Sequence, residues 1–238
     1  MNFELKEFTN IPNCYHSFNV VNESQFESTC ENLIKEMSFF FKRSSFEGLK
    51  ILNPNPIEKI PQYFSSNNLI YLNVRDGIRE SQIIYQLAHE MCHYFMSTGI
   101  KNDELKYFEE TLCDLSSHFF LRNKPQKIHK VYDDEALMNI TEIDLSSSTS
   151  YDRYNREQNT YIAKLLLPIF EKTLVYGQKF LNLQISRPLP SGNFLIYGKT
   201  KPHQNIKKLF KKYKTSLNNT NSWNPRFTDY SKMFSFDS

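Results

Sequence analysis

Several things are scarce in this chain, and each scarcity closes off a class of protein. Four cysteines occur in 238 residues, and Cys14, Cys30, Cys92 and Cys113 form no CxxC pair, which argues against both a disulfide scaffold and a zinc ribbon. Reduced thiols packed in or near the core are the expectation, and a structural zinc cluster through Cys92 or Cys113 is disfavoured. Glycine is rare (6 residues) while phenylalanine (20) and tyrosine (14) are abundant, a balance that suits a helix-rich globular chain and not a fibrous or disordered one. Long apolar runs are missing too. The most apolar late stretch, 162–170, is interrupted by Lys164 and Pro168, so no membrane span is expected. Residues 1–10 mix Glu4, Lys6 and Glu7 with apolar positions, unlike a signal peptide. A net charge of +3 is too mild to make nucleic acid a direct partner. These exclusions leave a cytoplasmic chain without a membrane partner.

What is present reads as alternating short strands and helices. A brief apolar alternation at Phe3 and Leu5 is cut short by Lys6 and Glu7, and a turn-rich piece around Pro12 and Asn13 follows. Phe26, Cys30, Leu33, Ile34, Met37, Phe40 and Phe41 recur at helical spacing, predicting a helix over 24–42 capped by Asn22 or Ser24. Residues 49–52 and 68–74 read as strands, with a short element near 57–64 between them. Helices are expected over about 79–97, ending at Gly99, and over about 103–121, where Asp103 and Glu104 suit a helix N-terminus. Further helices are expected over 133–138, over 152–173 with a kink at Pro168, and over 204–217. The last of these is basic and amphipathic, and is read as a solvated lysine face over a packed apolar stripe. The division is a core over 1–122 and a mostly helical region over 123–238.

The chemistry concentrates at Gln86-Leu87-Ala88-His89-Glu90-Met91-Cys92-His93. Positions i and i+4 share a helix face, so His89 and His93 can offer two imidazole nitrogens to one metal ion, and Glu90 stands beside it. With six histidines in the chain, chance alone supplies one HExxH in about a hundred such sequences, so the surroundings must carry the reading. After His93 the chain lacks the further Gly and His of HExxHxxGxxH, which excludes the metzincins. On the next helix, Glu110, Asp114 and His118 recur every four residues along one face, and Glu110 follows His93 by seventeen positions.

These residues resemble the gluzincin branch of zinc metallopeptidases, and within it the compact ImmA/IrrE-like and minigluzincin peptidases, over about residues 45–122. The resemblance implies an α+β, zincin-like metallopeptidase core with a small mixed sheet preceding the HExxH helix, followed by a mostly helical C-terminal region. It implies one Zn²⁺ held by His89, His93 and Glu110, with Glu90 as general base and Asp114 as the acceptor that orients a ligand histidine. Glu109 is the rival third ligand, and Glu110 is preferred because a carboxylate follows it four residues later. The implied activity is endopeptidase cleavage of a protein or peptide, with a DNA-binding regulator as a candidate substrate. The strand at 69–74 would border the cleft and pair with an extended substrate. The oxyanion stabiliser stays open among Tyr107, His118, His129, Tyr151, Tyr154 and His203. The alternative is a catalytically weak or inactive member that binds a partner through the same cleft.

Overall fold

The structure is a computed structural model describing residues 4–41, 45–46, 48–54, 60–75, 80–96, 106–125, 128, 156–157, 159–160 and 163. They form a mixed α+β fold of five strands and three helices: β1 (Lys6–Glu7), β2 (Cys14–Phe18), α1 (Glu23–Phe41), β3 (Leu49–Asn53), β4 (Gln62–Phe64), β5 (Leu69–Tyr71), α2 (Glu80–Met96) and α3 (Lys106–Arg122). The chain divides into a unit of 1–97 with 116–139 and a unit of 98–115 with 140–238, the boundary falling within the continuous helix α3.

All five strands precede α2 and join one sheet in the order β1-β2-β3-β5-β4. Strands β2, β3 and β5 run parallel, with β1 and β4 antiparallel at the two ends. The sheet is small and mixed, as expected, but two details differ from the sequence reading. Strand β5 is paired on both sides, so the edge on that flank is β4 and not the strand at 69–74. The β4–β5 hairpin turns through Asn68, whose φ of 49° lies in the left-handed region that asparagine tolerates. The second difference is β2, which the sequence reading did not anticipate. Its alternation is Cys14, His16, Phe18 inward, and the polar His16 hides the pattern.

His16 is 1 % exposed and sits between Phe8 and Phe18, with ring centroids 4.5 and 4.7 Å away. Phe18 in turn meets Phe26 of α1 at 4.5 Å, which lays α1 against the inward face of β2. Further along α1, Phe40 and Phe41 join Phe95 of α2 and Phe119 and Phe120 of α3 in an aromatic cluster with centroids 4.7–5.4 Å apart. A buried phenylalanine contributes about 1.5–3 kcal/mol, so this cluster is a large share of a domain's net stability. An ion pair from Lys124 to Glu36 ties the end of α3 to α1.

The carboxyl end of the sheet is closed by side-chain amides. The fully buried Asn53 donates from Nδ2 to Val74 O at 2.9 Å and accepts at Oδ1 from Val74 N at 2.9 Å. Nearly two turns into α2, Gln86 does the same for Asn73, accepting from its N at 2.8 Å and donating to its O at 3.0 Å. Two backbone units beyond β5 are thereby satisfied without a strand beside them.

In the second unit, the residues at 156–157, 159–160 and 163 are helical, within the helix expected over 152–173. Thr111 donates to Asn159 Oδ1 at 3.5 Å and Thr160 to Asp114 Oδ2 at 2.9 Å, laying this segment along residues 111–114. The expected helices at 133–138 and 204–217, together with Gly99, lie outside the described residues. Among the described residues no helix is long and apolar enough to cross a membrane.

Two outcomes follow. Asn53→Ala strands two buried backbone groups of Val74 at about 1–3 kcal/mol each, and urea unfolding should show a loss of about 2–6 kcal/mol. His16 gives a pH signature. Burial lowers its pKa below the usual 6.5 and outweighs the opposing pull of Glu27, whose Oε1 lies 3.3 Å from Nε2 without hydrogen-bond alignment, and of Glu23. Lys6 adds to the lowering. The folded state therefore binds this proton less readily than the unfolded chain does, so its stability is intact above pH 6.5 and falls as the pH drops from there toward the depressed value. His16→Phe should flatten that part of the stability–pH curve.

Candidate metal centre

Helix α2 forms where the sequence predicts it, because Ile84, Leu87, Ala88, Met91 and Phe95 bury one face against the rest of its unit. His89 and His93 lie one turn apart on a half-buried flank of that helix, with ring centroids 5.1 Å apart and planes inclined at 64°. Gln86 stands one turn before His89, so its paired bonds to Asn73 fix both the rotation and the height of this stretch against the sheet. On the other side Tyr94 packs edge-on against Tyr63 of β4 at 5.7 Å, bringing the sheet's edge strand beside the motif helix. Glu90, between the two histidines, is 4 % exposed.

Helix α3 is tied to α2 through its C-terminal half. Ser117 donates to Tyr85 O at 2.9 Å, and the buried His118 ring meets the Tyr85 ring at 5.3 Å. Cys113 lies one turn before Ser117 on the same face of the helix. His89, His93 and Cys113 each offer one ligand atom, and the three atoms lie within 4.8 Å of one another. Two imidazoles and a thiol are donors that suit zinc and other borderline-soft divalent ions, so this group could hold a metal ion.

Of the residues singled out from sequence, His89 and His93 are brought together with Glu90 alongside. Glu110 and Glu109 are half-buried on α3, and neither belongs to that three-residue group. Asp114 is 7 % exposed and receives the hydroxyl of Thr160. Cys113 is a donor that sequence reasoning disfavours. A fully buried thiol reads as a small core residue, and only its place one turn before Ser117 sets it apart. All four cysteines are free and buried, as expected. Of the oxyanion candidates, His118 is enclosed beside Tyr85, and His129, Tyr151, Tyr154 and His203 lie outside the described residues.

If His89 and His93 are the anchoring pair, His89→Ala or His93→Ala should each abolish retention of one equivalent of zinc or cobalt after gel filtration, read by elemental analysis, with the fold unchanged by circular dichroism. Full retention in both variants would dismiss the pair. Set against protein-family models, curated protein sequences and solved structures, the chain has no match in any of the three.

Proposed function

We propose that this chain is a zinc-dependent metalloendopeptidase of the gluzincin type, with a zincin-like core, that hydrolyses a peptide bond in a protein or peptide substrate. The observation that carries the reading is the pair His89 and His93 on one flank of an anchored helix, with the buried Glu90 following His89 in the chain. Following the resemblance, Glu110 is the third ligand. A bound zinc ion supplies Lewis acidity and a water acidified to a pKa of about 7.

The chain's own residues supply the rest. Glu90 accepts the proton of the attacking water and returns it to the departing amine, and its burial removes competing solvent from that transfer. Asp114 orients a ligand imidazole. Among the described residues β4 is the outermost strand on that flank, and, beside α2 through Tyr63 and Tyr94, it takes the role that the sequence reading gave to the strand at 69–74. An extended substrate pairing with β4 gains main-chain hydrogen bonds at an edge that would otherwise invite aggregation. Four free thiols fit the reducing cytoplasm, where a DNA-binding regulator is an accessible substrate class.

The Cys113 thiol, within 4.8 Å of both histidine donors, favours a second reading. If Cys113 ligates in addition to Glu110, the coordination closes with four protein ligands, as in structural zinc sites, and the chain is a catalytically weak partner-binding module.

Glu90→Gln decides the mechanism. Zinc should stay bound while cleavage of a peptide library, followed by mass spectrometry, falls by at least about a hundredfold. Unchanged cleavage would remove Glu90 from the reaction. Cys113→Ser separates the two readings: in the peptidase zinc affinity and cleavage are both unchanged, whereas the closed site loses its fourth protein donor and its zinc affinity falls.

A further inference from the structure

The first unit also contains a cavity away from the candidate metal centre. A cavity of about 290 Å³ opens where Val20 follows β2 and Val74 follows β5, beyond the carboxyl ends of two parallel strands. That is where open sheets of this kind bind small molecules, and the volume suits a compact one. The N-termini of α1 and α2 both reach it, through Asn22 and Glu80.

Part of the polar lining has no partner within the protein among the described residues. Asn22 occupies the cap position of α1, but its Nδ2 donates to Gln25 Oε1 at 2.7 Å, and no side chain accepts from the amides of Glu23, Ser24 or Gln25 among the described residues. Thr29, two turns into α1, lines the cavity at only 9 % exposure, and its hydroxyl has no hydrogen-bond partner among the described residues. Arg75, at the rim, forms no ion pair among the described residues. Phe26, Val74 and Ile83 supply apolar lining to the same cavity.

We infer that this cavity binds a small anion, a carboxylate or phosphate group on a compact apolar body. The anionic group would lie between the Arg75 guanidinium, the first-turn amides of α1 and the Thr29 hydroxyl, with the apolar body against Phe26 and Ile83. Helix N-termini favour such charge, and the guanidinium fork matches both oxyanions. Glu80 lines the same cavity and works against the anion, so it tunes affinity downward. His89 stands nine residues further along α2, about 13 Å away along the axis, which separates this site from the metal centre.

The test is calorimetric titration of the full chain with isovalerate and with inorganic phosphate, repeated in His89→Ala so that an anion bound at the metal centre is not counted. At least one anion should bind saturably, and equally well in His89→Ala. Arg75→Gln should weaken binding about tenfold and Thr29→Val severalfold, whereas Glu80→Gln should tighten it. Binding of isovalerate alone identifies a carboxylate site, and binding of phosphate alone a phosphate site. The inference is overturned if neither anion binds, if binding is lost in His89→Ala, or if it is indifferent to Arg75→Gln and Thr29→Val.

Discussion

The arrangement depends on two side-chain amides that complete the backbone where the sheet runs out. Asn53 at the end of β3 pairs with both polar groups of Val74, and Gln86 on α2 pairs with both polar groups of Asn73. Buried peptide groups must be satisfied, and here one strand-end and one helix side chain do what a neighbouring strand would do. Hydrophobic packing holds α2 near the sheet, but dispersion has no direction. The amide pairs supply the direction.

That direction matters because the motif's chemistry is a question of rotation about one helix axis. Leu87, Ala88, Met91, Cys92 and Phe95 are fully buried, while His89 and His93 are half-buried. A rotation of one residue would exchange a histidine for a core side chain. Gln86 prevents this from one turn away, and the Phe41–Phe95 contact holds the far side. The same frame shapes the cavity at the other end of α2, where the Asn53 and Gln86 bonds hold the segment that leads to Arg75. The candidate metal centre and the candidate anion site thus share one structural anchor.

The helices were legible in the sequence because their apolar residues fall at a spacing that only a helix can bury on one side. The apolar positions of α1 match its buried residues from Phe26 to Phe41. Strand β3 was legible as an apolar run. Strand β2 was not, because His16 looks polar until Phe8 and Phe18 enclose its ring. Nor could sequence order give sheet order: β4 follows β3 along the chain, yet β5 lies between them. His89, Glu90 and His93 stood out through fixed spacing on one helix. A donor from another helix depends on tertiary packing, which is why Cys113 was read as core and why Glu110 rests on resemblance.

The central claim is that an anchored α2 presents His89 and His93 to one metal ion while leaving a coordination position open. X-ray absorption at the zinc edge of the loaded protein tests it most directly. The account predicts multiple-scattering features of two imidazoles together with oxygen donors in the first coordination sphere. A spectrum without imidazole would contradict the metal centre itself, and two imidazoles with a full complement of protein donors, sulfur included, would contradict the open position on which the proposed catalysis depends.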